Sequence, residues 1–140
     1  MRALTEIRRA QVRIRNARLK LRSLNDTESM AKLEVLEELL ERIALRLETM
    51  LVLGISSSEL LRSLLVTSKA LEPMKQYAPP DTLHLMSSLQ VAIEQLYQTV
   101  TPSNATLESL IAEDEVKAVL REAMERARLR VESEFPEKSV

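Results

Sequence analysis

Two consecutive stretches of this chain place apolar residues at alternating intervals of three and four. In the first, Ala3, Ile7, Ala10, Ile14, Ala17, Leu21 and Leu24 follow that rhythm, and in the second Leu33, Leu36, Leu40, Ile43, Leu47 and Met50 do. An interval averaging 3.5 residues nearly matches the turn of an α-helix, so each stretch gathers its apolar side chains on one face. A half-buried strand would need an interval of two. The spacing predicts one helix over residues 3–24 and a second over 27–53. Between them, Asp26 or Thr27 can accept from the free N–H groups that open the second helix. Two such helices joined by so short a break form a long antiparallel hairpin. Val12 and Leu19 lie on the far face of the first helix. A simple hairpin needs only one stripe, so this pair predicts a further contact, within the molecule or between copies.

Composition narrows the choice further. Among 140 residues there is one Gly, one His and no Cys, and aromatics are 2%. A sandwich or barrel of this length would need several glycine-bearing turns and many aromatic or β-branched residues. Leu, Glu, Arg and Ala dominate instead, as in amphipathic helices, and the expected fold class is all-α with about five helices. Without Cys there is no disulfide framework and no ordinary Cys/His zinc site. One glycine cannot build a phosphate-cradling loop or a dinucleotide fingerprint. No apolar run approaches the ~18 residues of a membrane span. The basic start is not followed by the apolar stretch of a signal peptide, so the cytoplasm is the expected compartment.

The rest of the chain reads as three shorter helices. Gly54 stands where a C-terminal cap is wanted, and Ser56, Ser57, Ser58 and Glu59 offer caps for a third helix over 58–72, with Leu60, Leu61, Leu64, Leu65, Ser68 and Leu71 inward. No proline enforces that break, and a glycine costs only ~1 kcal/mol inside a helix. Gly54 and Ser56 are therefore a candidate hinge, across which the second and third helices could fuse into one rod. Pro73 ends or kinks the third helix and Pro79-Pro80 is a stop. Asp81 is expected to cap a fourth helix over 82–100, carrying Met86, Leu89, Ile93, Leu96 and Val100 inward. A loop at Thr101–Asn104 and a short turn at Leu107, Leu110 and Ile111 precede a fifth helix over 113–134. Its stripe is Val116, Val119, Leu120, Ala123, Ala127 and Val131, and Glu113, Asp114 and Glu115 in its first turn suit the helix dipole. Pro136 stops it, leaving 137–140 as a frayed tail of a single domain, 1–136.

Catalytic constellations are missing. His84 is the one histidine, so a Cys/His dyad cannot form and a Ser-His-Asp set would have to use it. Paired carboxylates such as Glu37 and Glu38, or Glu113 and Glu115, read as solvated faces. The six methionines read as core filling. No enzyme activity and no cofactor or metal is expected.

Charge is the informative feature. The net charge is −1, yet residues 1–25 carry eight Lys/Arg against Glu6 alone, and residues 26–49 carry seven acids against three bases. One reading is intramolecular, with the basic helix lying beside the acidic one. The other is an arm for phosphates, on lipid or nucleic acid. A helix has more than one face, so both can hold. Duplex recognition is disfavoured by the lack of an Asn/Gln-rich reading face and of a turn–recognition-helix pair. The scarcity of aromatics disfavours single-strand stacking.

Two segments resemble archaeal ESCRT-III-like cell-division proteins of the Cdv B class. Residues 42–54, Arg-Ile-Ala-Leu-Arg-Leu-Glu-Thr-Met-Leu-Val-Leu-Gly, are similar to that family's ending of the second helix. Residues 113–123, continuing to Glu132-Ser133-Glu134-Phe135-Pro136-Glu137, are similar to its acidic fifth helix and proline stop. Ala78-Pro79-Pro80 through Leu96 stands where the family begins its fourth helix. The resemblance spans roughly 35–137 and reads as a short paralogue or a truncated member, without the C-terminal winged-helix-like segment. It implies an ESCRT-III-like helical core that polymerises and remodels membrane in cell division or vesicle budding, with the fifth helix folded back to hold a closed monomer. The implied partners are the chain itself, paralogous subunits, an anionic membrane surface bound peripherally and, through another subunit, an ATPase. The lipid-facing candidates are Arg8, Arg9, Arg13, Arg15, Arg18, Lys20 and Arg22, and Val12 and Leu19 are the candidate self-assembly contacts. The alternative is a non-polymerising helical adaptor or regulator whose basic helix binds acidic partner proteins.

Overall fold

The three-and-four spacing is realised as helix. A computed structural model describes residues 2–54, 58–100 and 113–134. It contains α1 (Arg2–Ser23), α2 (Thr27–Leu53), α3 (Ser58–Leu71), α4 (Pro80–Val100) and α5 (Glu113–Glu134), with a 3₁₀ helix at Glu72–Tyr77 between α3 and α4. No strand occurs among the described residues, and the fold is all-α. Ser56, the expected turn at Leu107, Leu110 and Ile111, and the tail at 137–140 lie outside the described residues.

The helix ends follow from local chemistry. Asn25 turns the chain at φ 55°, a left-handed conformation that asparagine tolerates better than most residues. Asp26 then caps α2, its side chain accepting from the Ser29 amide at 3.2 Å. Gly54 closes α2 at φ 64°. Nothing lies within 4 Å of where a Cβ would stand there, so glycine is favoured by backbone conformation and not by crowding. The start of α4 departs from expectation. Pro80 is its first residue, where a missing N–H costs nothing, and the Thr82 amide and hydroxyl both donate to the Pro79 carbonyl, at 2.9 and 2.7 Å. Asp81 is thus not the cap. It lies in the first turn and is engaged by Arg13.

Helices α1 to α4 pack in a ring, α1 on α2, α2 on α3, α3 on α4 and α4 on α1, and α5 lies outside along α2 and α3. The core is formed by Ile7, Ala10 and Ile14 of α1, the α2 stripe from Leu33 to Leu47, Leu61, Leu64, Leu65 and Leu71 of α3, and Met86, Leu89 and Ile93 of α4. Each fully buried Leu or Ile contributes about 1.5–3 kcal/mol. Helix α3 is buried beyond its predicted stripe, with Val66, Thr67 and Ala70 also enclosed, because α2, α4 and α5 surround it. Leu24, expected to close the α1 seam, is exposed, since α1 ends at Ser23 and Leu24 falls in the turn. On α5, Ala123, Ala127 and Val131 face inward while Val116, Val119 and Leu120 pack partly buried against the core.

Candidate functional site

The basic helix α1 divides into an inner face, two flanks and an outer face, and its cations are distributed unequally among them. Ile7, Ala10 and Ile14 define the inner face. On the flank towards α5, Arg8 spans Glu41 at 2.8 Å and Glu48 at 2.7 Å. Gln11 is buried and donates to Glu41 at 2.8 Å. Arg15 pairs with Glu37 at 2.6 Å. Arg18 pairs with Glu34 and, at 2.9 Å, with Glu134 of α5. On the flank towards α4, the Arg13 Nε lies 3.4 Å from the Asp81 carboxylate, and its Nη1 donates to the Asp81 carbonyl at 3.0 Å. The intramolecular reading of the charge asymmetry therefore accounts for Arg8, Arg13, Arg15 and Arg18.

Arg9, Lys20 and Arg22 are different. All three are exposed and form no ion pair among the described residues. They flank Val12 and Leu19, which are 53% and 60% exposed. At 100° per residue, Val12 and Leu19 lie on the far side of the helix, with Arg9 and Lys20 along one edge and the paired Arg8 and Arg15, then Arg22, along the other. The second apolar stripe thus stays exposed and finds no partner among the described residues. The outer face of α1 is a narrow aliphatic strip with unpaired Arg9 and Lys20 along one edge and, along the other, Arg8 and Arg15, held by α2, and the unpaired Arg22.

A second cluster, on α2, escaped the sequence reading. Glu34 and Glu38 are buried, contrary to the expectation of a solvated carboxylate face at Glu37 and Glu38. Three rungs join α2 to α5 in antiparallel order. Arg42 meets Glu122 at 3.0 Å, Glu38 meets Arg126 at 3.3 Å and Arg130 at 2.7 Å, and Glu34 meets Arg130 at 3.6 Å. The signal that could have found it is a matched spacing of four, acid–acid–base at 34, 38 and 42 against acid–base–base at 122, 126 and 130. Burial holds the Glu34 carboxyl above its ordinary value against the pull of Arg18. Burial also pushes Glu38 up, but Arg130 and Arg42 outweigh it and leave Glu38 below its ordinary value. The Gln11 hydrogen bond, with Arg8, lowers Glu41. Glu115, the other supposed solvated acid, is half-buried and takes a two-pronged bond from Arg62, at 2.6 and 3.2 Å.

Among the described residues no group of three or more His, Cys, Asp or Glu side chains could hold a metal ion. His84 is exposed on α4. No described helix is long and apolar enough to cross a membrane. No family model, curated protein or solved structure matches the chain.

Proposed function

We propose that this chain is a polymer-forming, membrane-remodelling subunit of the ESCRT-III-like kind, acting in cell division or vesicle budding. It binds an anionic bilayer peripherally through the outer face of α1 and assembles with itself and with paralogous subunits. An ATPase would reach it through another subunit. The observation that supports this reading is the uncommitted outer face of α1, where Arg9, Lys20 and Arg22 border exposed Val12 and Leu19. Cations at the edge of an aliphatic strip suit a headgroup layer above acyl chains. The closed packing of α5 on α2 and α3 suits a storage form of such a subunit.

The magnitudes bear on assembly. A basic residue near an anionic surface contributes on the order of 1 kcal/mol, so three free cations give about 3 kcal/mol. One copy then binds weakly, and an array binds tightly because its contacts act together. The ion pairs of Arg8, Arg13, Arg15 and Arg18 favour a second reading, in which α1 is mainly structural and the protein is a non-polymerising adaptor.

Co-sedimentation with anionic vesicles at low and high salt, with the pellets viewed by negative-stain electron microscopy, separates the two. Salt-sensitive pelleting with filaments or deformed vesicles is expected, and Arg9→Glu, Lys20→Glu and Arg22→Glu together should abolish it with helix content unchanged. Protein that stays in the supernatant at low salt would leave the adaptor.

A further inference from the structure

Beside the outer face of α1, a groove of about 600 Å³ runs between α1, the start of α2 and the link into α4. That volume lies within the range of about 300–1,000 Å³ occupied by small-molecule sites. Its floor includes Leu21, Leu33 and Pro79, and Arg13, Lys20 and Lys32 stand around it. Asp81 is the one acid in the lining, and Arg13 already engages it. Lys32 holds its ammonium 4.1 Å from the centre of the Tyr77 ring, which faces the same groove. Three cations stand against one acid in this lining; Lys32 also lies 3.8 Å from Glu28 just outside it, and Lys20 has no acidic partner among the described residues.

Two properties select the occupant. The cations call for an anion, and the aliphatic floor calls for a hydrocarbon segment attached to it. Most of the wall is helix, whose backbone groups bond internally, so an extended peptide would find few main-chain partners there. Lys20 belongs both to the groove lining and to the border of the outer face of α1, so the groove opens beside the face that the membrane reading gives to the bilayer.

We propose that this groove takes the phosphate-bearing head and first methylenes of an anionic lipid, with Lys20 and Lys32 on the phosphate and Leu21 and Leu33 against the chain. The proposal rests on the membrane reading and adds to it a discrete site with one lipid per subunit.

The test is calorimetric titration of the full chain with decyl phosphate below its micelle concentration, beside inorganic phosphate and decyl maltoside. Decyl phosphate should saturate at one per chain. Lys20→Gln with Lys32→Gln should weaken it ~10-fold or more, as expected for two lost charge-assisted bonds. Lys69→Gln with Lys117→Gln removes the same charge from α3 and α5, and should change affinity by no more than about twofold. Absence of saturation, equal loss in both double variants, or equally tight binding of inorganic phosphate or decyl maltoside would each overturn the site. Vesicle pelleting without decyl phosphate saturation removes the groove alone. Saturation without pelleting removes the membrane reading, and with it the lipid as the source of the anion.

Discussion

Glu34 and Glu38 stand one helical turn apart on α2, both beneath α5, yet their surroundings shift them in opposite directions. Glu34 lies above its ordinary value of 4.5 because burial outweighs the attraction of Arg18. Glu38 lies below 4.5 because Arg130 and Arg42 outweigh its burial. A carboxylate depressed in the fold contributes stability above its ordinary value and loses it as pH falls through the folded value. A raised one does the reverse, since it takes up its proton more readily in the fold and that uptake favours folding. Glu38→Gln should therefore destabilise the protein at pH 7 by about 1–3 kcal/mol, the scale of lost charged hydrogen bonds whose arginine partners keep half their surface in water. Glu34→Gln should cost less. Lowering the pH well below 4.5 should shrink the Glu38→Gln deficit. Urea unfolding at pH 7 and pH 3.5 measures both, and equal deficits at pH 7 would contradict the assignment. The pairing network is not fully satisfied, since Arg18 Nε and Glu37 Oε2 are buried without a hydrogen-bond partner.

At the scale of elements, α5 is the helix whose attachment depends most on small side chains. Ala123 and Ala127 are fully enclosed against α2 and α3, where a short side chain permits close approach. Ala127→Leu forces three further carbons into that contact and should cost about 1–3 kcal/mol. The loss should fall on α5, because the ring of α1 to α4 does not need it to close. Hydrogen exchange is the measurement: faster exchange is expected over 113–134 with little change over 30–47, and uniform acceleration would mean that α5 is integral to the core. The link between α2 and α3 depends on a different feature. Gly54 holds a left-handed conformation with nothing within 4 Å of where a Cβ would stand, so the end of α2 is set there by backbone conformation and not by crowding.

At the scale of the whole molecule, the exposed strip of α1 is where one copy could meet another or a bilayer. Val12 and Leu19 touch no core, so Val12→Asp with Leu19→Asp should leave thermal unfolding unchanged to within about 0.5 kcal/mol. The same variant should prevent filament growth on vesicles, read by electron microscopy and by sedimentation velocity with added lipid. Filaments that persist would place the assembly contact elsewhere, for example at Val52 and Leu53, which are exposed at the end of α2.

Helical class, the two heptad helices, the Gly54 cap and the inward stripe of α5 were all legible in the sequence, because each is a local property of spacing or backbone conformation. So were the second stripe of α1 and the excess of its cations. Sequence could not say which arginines were spent on the fold. That depends on which side of α1 meets α2 and which meets α4, and helices of this kind can dock with several rotations. The matched spacing of 34, 38 and 42 with 122, 126 and 130 hints at the pairing of α2 with α5, but the burial of Glu38 follows only once α5 lies across it. The sequence could not reveal the groove, whose walls come from residues 13–21, 29–33 and 77–81, brought together only when α4 closes the ring on α1. Periodicity along the chain determined what each helix is; the relative rotation and packing of the helices decided which charges stayed free to act.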